Sequence, residues 1–380
     1  MKTKVSFSKC ATYNSAEVHA AVKKAIDLLG GMRSFVQQGE RILLKPNLLS
    51  AKEPERHITT HPEVVRALIR LVKEAGATPI LGDSSGGAIK GVGRVWEKTG
   101  MKKLADEEKI ELVNFETFGS VEKPINHRRI KSIHVSKAAL ECDGIINLPK
   151  LKTHSLMIFT GCIKNLYGII PGLRKAEYHK LAPFPDEFGR LLGEVYLSIK
   201  DKVRLNIVDG IIGMEGNGPS SGELKKMDVI VAGSDGLAVD TAITQMLGFK
   251  PKRIEPFEYL SKKKAGEDNL SNIEMLGDRS SITVNKFKFP SNWYIALVPK
   301  FIVRVLAKFI WMKPFIVQER CTNCMMCVNS CPVKAISVEP GKKPQVKWYE
   351  CINCLCCHEL CTYGAIDLIS SPLAKILIRQ

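Results

Sequence analysis

Along the first 265 residues, short apolar runs alternate with segments whose apolar positions recur at helical spacing. The runs at 4–8, 41–44, 79–81, 144–147, 204–208 and 228–232 predict strands. The periodic segments at 16–29, 62–75, 188–199 and 237–247 predict helices. Strands that alternate with helices in this way predict an α/β fold, a mostly parallel sheet with helices on both faces, over residues 1–266.

Five of these strands run into polar, turn-rich stretches: Lys45-Pro46-Asn47, the segment from Gly82-Asp83-Ser84 to Gly87, the segment 148–154, Asp209-Gly210, and 233–236. Open α/β sheets bind ligands outside the carboxyl ends of their strands, so a shared site built from these loops is expected. Lys45, Asn47, Lys150, Lys152, Lys164 and Asn165 are its candidate binding residues, and so much positive charge suits a carboxylate or phosphate. A solvated basic loop is the competing reading of 150–154. His154 and Asp83 are the candidate proton-transfer groups, because a histidine titrates near neutrality and a nearby cation keeps an aspartate ionised. Asp209 and Glu215, with Asp83, are further acid–base or divalent-ion candidates. Local structure offers rival roles for three residues: Thr60 as an N-cap in a capping box with Glu63, Asp235 as the cap of the helix near Leu237, and Asp240 in that helix's first turn. Cys162 has no matching base or ligand spacing and reads as packing. The glycine-rich stretch after Asp83 lacks both the Walker lysine pattern and G-x-G-x-x-G.

Apolar and charged fractions of 45% and 25% are ordinary for a globular protein, but the net charge of +17 is not. It favours anionic partners. Nucleic acid is not expected among them, because the aromatic residues are not interleaved with the basic loops. The N-terminus MKTKVSFSKC has no apolar leader core, which predicts a cytoplasmic protein.

The C-terminal part carries a repeated cysteine pattern. Cys321, Cys324, Cys327 and Cys331 read C-x2-C-x2-C-x3-C, and Cys351, Cys354, Cys357 and Cys361 repeat the spacing thirty residues on. Asn323 matches Asn353, and Ala335-Ile336 matches Ala365-Ile366. In the bacterial ferredoxin arrangement the fourth cysteine of each run serves the other cluster. Cys321, Cys324, Cys327 and Cys361 are therefore expected to hold one [4Fe–4S] cluster, and Cys351, Cys354, Cys357 and Cys331 a second. Disulfides need an oxidising compartment, and zinc sites usually pair two C-x2-C knuckles across a longer gap. Thr362 replaces the proline that follows Cys331, which alters backbone shape and not ligation. Cys356 is surplus to the ligand count and reads as a packed thiol. Residues 316–370 thus predict a small α+β domain of bacterial-ferredoxin type.

The segments LLKPN at 43–47, THPE at 60–63, GDS at 82–84 and INLPKLKTH at 146–154 resemble a known family. CIKNLYGIIPG at 162–172, VDGIIGMEGNGP at 208–219 and SDGLAVD at 234–240 continue the match. The chain is similar to the domain-of-unknown-function 362 family, whose members often carry a C-terminal two-cluster ferredoxin module. The resemblance implies an iron–sulfur protein of anaerobic bacterial or archaeal type, and no particular reaction.

Residues 267–315 form a linker with a predicted strand over 281–290 and a strongly apolar run over 293–312. Pro299, Lys300, Arg304 and Lys308 interrupt that run, and a charge at bilayer mid-depth costs roughly 3 kcal/mol, which argues against a spanning helix. The three cations share one helical face, so the segment is either a linker helix packed between domains or a peripheral membrane contact. The combined expectation is a reductase in which two clusters exchange electrons with a small anionic substrate or cofactor. The alternatives are a ferredoxin-like carrier that docks a redox partner protein, and a cofactor-maturation protein. If 293–312 lies on membranes, the protein will co-sediment with anionic liposomes and a Lys300/Arg304/Lys308 charge-reversal variant will not; an absence of sedimentation at low salt selects the packed linker.

Overall fold

The structure, a computed structural model, describes residues 2–85, 91–172, 174–278, 287–290, 311–361 and 363–371. Strands β1 (Thr3–Lys9), β2 (Arg41–Pro46), β3 (Thr78–Asp83) and β4 (Glu111–Asn114) precede a small antiparallel pair, β5 (Ser120–Pro124) and β6 (Ser132–Ser136). Then come β7 (Gly144–Leu148), β8 (Lys150–His154), β9 (Ile158–Thr160), β10 (Val203–Glu215), β11 (Glu223–Gly233) and β12 (Ile273–Gly277). Ten of these strands form one sheet, in the order β12-β1-β11-β10-β7-β2-β3-β4, with β8 and β9 hung from β10. Pairing is parallel from β10 through β7, β2 and β3 to β4, and antiparallel only around β11 and β9.

Burial on both faces follows directly from the period of two along each strand. Ile42 and Leu44 of β2, Ile146 and Leu148 of β7, and Ile230 and Ala232 of β11 enter one core; Leu43, Ile145, Val229 and Val231 enter the other. The first core is closed by α1 (Ser15–Asp27), α2 (Pro62–Glu74), α3 (Val92–Lys98) and α4 (Met101–Glu108). The second is closed by α5 (Lys137–Glu141), α6 (Cys162–Asn165), α7 (Arg174–Leu181), α8 (Pro185–Ile199), α9 (Gly236–Met246) and α10 (Glu255–Lys262).

The chain runs β2, β3, β4 outward to the sheet edge, then returns to lay β7 on the other side of β2. The connections leaving β2 and β7 therefore diverge to opposite faces, and a crevice opens at their carboxyl ends.

The C-terminal part is built from β13 (Met312–Ile316), α11 (Met326–Ser330), β14 (Ile336–Ser337), β15 (Gln345–Val346), α12 (Cys356–Leu360) and β16 (Ile366–Ser370), with β13 paired to β16 and β14 to β15. Its two halves repeat in backbone geometry: Asn323 and Asn353 have φ of 56° and 54°, and Met325 and Leu355 have 63° and 59°. Four non-glycine residues in the left-handed region at matched positions show that the cysteine spacing imposes one loop shape twice.

Several expectations are corrected. Residues 150–154 are not a loop: β10 is 13 residues long, outruns the sheet, and takes β8 as a parallel partner through Asp209–Lys150 and Met214–Lys152. Asp209 and Glu215 accordingly lie within β10. Thr60 is not the cap of α2. His61 is, accepting from Glu63 N, while Thr60 Oγ1 accepts from Asn47 N at 2.8 Å and donates to Leu148 O at 2.6 Å. Asp235 does cap α9. Asp240 instead reaches back to accept from Cys162 N and Ile163 N, at 2.7 and 3.0 Å, and so anchors the start of α6. The proposed helix at 293–312 lies outside the described residues except at its end, where Met312 begins β13. Residues 281–286 of the expected strand also lie outside them, and 287–290 form no strand. Among the described residues, no helix is long and apolar enough to cross a membrane.

Candidate functional site

One cross-strand row organises the crevice. Lys45 of β2 is in register with Asn147 of β7, Asn147 with Asn206 of β10, and Asn206 with Gly233 of β11. All three side chains alternate with residues of the first core, so all three turn to the opposite face, under α6. Apolar residues would fill such positions elsewhere in the sheet; here amides satisfy one another. Asn47 Nδ2 donates to Asn165 Oδ1 at 3.0 Å, Asn165 Nδ2 to Asn147 Oδ1 at 2.8 Å, Asn147 Nδ2 to Asn206 Oδ1 at 2.9 Å, and Asn206 Nδ2 to Gly233 O at 3.1 Å.

Three lysines are sunk completely around this row. Lys45 Nζ lies 2.8 Å from Asp83 Oδ1. Burial pulls its ammonium down and Asp83 opposes that. Asp83 also accepts from Leu48 N and Ser84 N, each at 2.9 Å. The pair passes so close to Gly168 that a Cβ there would collide with Asp83 Oδ1 and Lys45 Nζ. Lys150 lies 3.0 Å from Asp209 and donates to Tyr13 Oη at 2.6 Å, while Tyr13 donates to Asp209 at 2.9 Å. His61 stacks on Tyr13 at a centroid distance of 3.8 Å and closes this second pair from above. Lys152 has neutral partners, Ile58 O at 2.7 Å and Asn47 Oδ1 at 3.1 Å. Burial, with Lys164 and Lys150 nearby, drives its pKa well down.

A cavity of about 120 Å³ lies between this crevice and the C-terminal domain. Lys45, Asn47, Asp83, Lys164 and Asn165 line it from one side, α7 contributes Lys175 and His179, and Ser330, Cys356, Glu359 and Leu360 close the other. The structure therefore brings together five of the eight candidate residues. Lys150 stands apart with Asp209, Lys152 stands behind Asn47, and His154 faces Glu359 across the domain boundary. The divalent-ion reading of Asp83, Asp209 and Glu215 has no geometry to support it: Asp209 is paired to Lys150, Glu215 sits 3.6 Å from Lys225, and among the described residues no three acidic, His or Cys side chains close on a point as ligands of a single ion would.

Electrostatics at the boundary are set by burial. His154 Nδ1 accepts from Leu156 N and Met157 N, both at 3.1 Å, so a neutral ring carries its proton on Nε2, 3.0 Å from Glu359 Oε1. The approach is off the line a hydrogen bond prefers, and neither atom has an aligned partner. Burial holds His154 down at about 4, against the pull of Glu359, so it does not titrate near neutrality as expected from its type. His179, stacked on Phe188 at 4.0 Å, is also held at about 4 by burial. Burial pushes Glu359 up, while the polar edge of the His154 ring and the Lys164 side chain pull it down, and the pull prevails. Lys175 Nζ donates to Ser84 O, Ser84 Oγ and Ile170 O, at 2.6, 2.7 and 3.1 Å, and burial brings it down to about 8.

The cysteines sort as a cluster-binding domain requires. Cys327 is pushed up to about 12 by burial and by the thiols of Cys361, Cys324 and Cys321. Cys357 is pushed up by burial and, in order, by Cys354, Cys351, Cys327 and Cys331. Thiolates crowded in this way repel one another until a metal shares their charge, which is the chemistry of a [4Fe–4S] ligand set. Ala335 N donates to Cys331 Sγ and Ala365 N to Cys361 Sγ, both at 3.2 Å, so the repeat includes its N–H···S bonds. Cys356 is buried, donates to the Cys354 sulfur and touches the cavity.

Sequence reasoning missed Lys175, His179, Thr160 and Glu359. Lys175 and His179 are one helical turn apart, a spacing with a signal of its own. Glu359 was visible by comparing the repeats: at thirty residues' offset, Cys356 and Glu359 stand where the first half has Met326 and Asn329.

Two outcomes follow from this geometry. Gly168→Ala should destabilise the protein by on the order of 3 kcal/mol, because it forces apart a buried ion pair; thermal unfolding reads it. For His179 the folded pKa lies below the unfolded value, so the unfolded chain binds the extra proton between pH 6.5 and about 4 and stability is lost as pH falls through that window. His179→Phe should flatten the pH dependence of denaturant stability there; an unchanged slope would show that the ring is not held neutral.

Residues 42–245 match a family model described as a domain of unknown function (DUF362), and residues 314–337 match a 4Fe–4S binding domain. The chain is 38% identical over 258 residues to the thylakoid-associated protein sll1697 of Synechocystis sp. (strain ATCC 27184 / PCC 6803 / Kazusa), covering 67% of this chain and 77% of that one. Among solved structures it is similar to a protein from Thermotoga maritima (TM-score 0.38, 13% identity, 54% of this chain and 52% of that one). Another is the lactate racemase apoprotein from Thermoanaerobacterium thermosaccharolyticum (TM-score 0.37, 13% identity, 62% of this chain and 55% of that one). The chain thus spans about half the length of either structure. With the family model matching over half of its length and a 4Fe–4S module behind the crevice, the chain belongs to the DUF362 family and binds at least one [4Fe–4S] cluster.

Proposed function

We propose that the protein is an iron–sulfur reductase in which two [4Fe–4S] clusters exchange electrons with a small anionic molecule held in the cavity at the domain boundary. The observation that carries this reading is the double origin of the cavity wall. Lys45, Asn47, Lys164 and Asn165 come from the α/β crevice, and Cys356, Glu359 and Leu360 from α12, which Cys357 and Cys361 hold to the ligand sets. Bound clusters supply one-electron transfer. The chain's own residues do the rest. Lys164 attracts the anion, α12 seats against Asn217 and Ser220 through His358 Nε2 and a Ser220 Oγ to Glu359 O bond, and burial excludes water from the contact.

Two clusters are favoured over one because the second repeat reproduces the left-handed residues, the N–H···S bonds and the helix of the first. The exchange of fourth ligands is favoured by the neighbours of Cys327, among which Cys361 acts most strongly, and by Cys331 standing among those of Cys357. Tyr349, 83% exposed beside Cys351, offers a redox partner protein an approach to the second ligand set. Peripheral membrane contact finds support in the thylakoid association of the Synechocystis relative.

Anaerobically reconstituted protein should contain about eight irons, Cys356→Ala should keep them, and Cys357→Ala should lose about half. A ceiling of about four irons in the unaltered protein would overturn the two-cluster assignment, and the reverse behaviour of the two variants would overturn the ligand register.

A further inference from the structure

The ferredoxin-type domain turns an aromatic face outward. Met312, Pro314 and Ile316 of β13 are buried, so the alternation of a strand sends Trp311, Lys313 and Phe315 to the other side. Ile369 of β16 stands opposite Lys313 in register and shares that side. Trp348 joins them. Its ring centroid is 6.3 Å from that of Trp311, and Lys313 Nζ lies 4.8 Å from the Trp311 centroid and 5.6 Å from that of Trp348. The Trp348 indole N–H is spent on Pro314 O at 3.3 Å, so what the ring shows outward is apolar. Phe315 is 44% exposed and Trp348 39%, and large apolar side chains grouped at such exposure mark a contact surface.

Charge selects the partner. Asp367, opposite Phe315 in register, is paired with Arg320 at 2.5 Å, and Glu350 with Lys347 at 3.9 Å, while Lys313 makes no ion pair among the described residues. In sequence, the 40 residues from 279 to 318 that lead onto this face hold seven lysines and arginines, eight aromatic residues, and no aspartate or glutamate. A second copy of a chain with a net charge of +17 would bring like charge to like. Tryptophan with lysine beside it suits a lipid–water interface, where the rings sit at headgroup level and the ammonium meets anionic phosphates. The face also adjoins the second ligand set: Trp348 and Tyr349 come just before Cys351, and Lys313 is near enough to act on the Cys351 thiol. From Cys351 the set extends to Cys354, whose sulfur accepts from Cys356 at the cavity wall.

Resting on the reading of peripheral membrane contact, we propose that the outward face of β13 and β16, with Trp348, lies on an anionic lipid surface and holds the second ligand set between that surface and the cavity. Tyr349 then puts the approach of the redox partner at the membrane. The test is co-sedimentation of anaerobic, iron-loaded full-length protein with phosphatidylcholine vesicles that contain about one quarter phosphatidylglycerol. Partition into them should exceed that into pure phosphatidylcholine by about tenfold. Phe315→Ser and Trp348→Ser should each weaken it by about tenfold at unchanged iron content, and Trp348→Tyr should keep most of it. Phe118→Ser, at a site 38% exposed beyond β4, should leave it unaltered. Should Trp348→Ser lose iron, Phe315→Ser alone decides. Unaltered protein that ignores both kinds of vesicle overturns the assignment together with the membrane-contact reading, and leaves the face to an acidic protein partner. Binding that the face variants retain, that Phe118→Ser weakens as much, or that is indifferent to phosphatidylglycerol overturns the assignment alone.

Discussion

Burying an ammonium group is the constraint from which most of this architecture follows. An unpaired charge taken out of water loses several kcal/mol even after relaxation, so a chain that sinks Lys45, Lys150 and Lys152 must bring oxygen to each of them. Asp83 at the end of β3 answers Lys45, and the answer requires a glycine at 168 so that the backbone can pass. Asp209 and Tyr13 answer Lys150, which fixes the bulged path of β10 and the turn after β1. The carbonyl of Ile58 answers Lys152, which pins the loop that follows β2. Loops that are expected to wander are instead held by charges beneath them.

The ferredoxin-type domain uses the same crevice. Its two halves share their loop shape, yet α12 differs from α11 at the positions that meet the α/β domain. Cys356 replaces a methionine and Glu359 an asparagine, and Glu359 lies within 3.0 Å of His154. Among the differences between the two halves, these two put the second half's own side chains at the cavity and against His154. The sulfur ligands set the scaffold, and the residues between them decide what it is docked against.

Most of the sheet was legible from the sequence because its strands are apolar on both faces, and the cysteine repeat was legible because ligation demands fixed spacing. The segment 150–154 was not, for a physical reason. Lysine and histidine at alternate positions look like a solvated loop, while burial of the whole face requires acceptors that are distant in sequence: Asp209, Ile58 and Glu359. Thr60 was misread in a similar way. A threonine three residues before a glutamate has the local form of a capping box, but its hydroxyl is taken by Asn47 N and Leu148 O from other strands. Local rules held wherever the competing partner was local, as at Asp235. The residues of the site are those for which it was not, and His179 and Lys175 became recognisable only when α7 was folded over the cavity.

The row of amides has a direction. Each asparagine gives its Nδ2 to the next and receives at its Oδ1, from Lys152 through Asn47, Asn165, Asn147 and Asn206 to the carbonyl of Gly233. A primary amide can ordinarily turn over at little cost, exchanging its two ends. Here none can turn alone without setting oxygen against oxygen on one side and nitrogen against nitrogen on the other. Nor can all turn together, because the last receiver is a backbone carbonyl, which would then face an amide oxygen. The orientation is thus a single binary setting, written into the main chain beneath the row and read at Lys152. The oxygen that Asn47 holds toward Lys152 is chosen by main-chain carbonyls that underlie the row, Lys45 O at Asn165, Cys162 O at Asn147 and Gly233 O at Asn206.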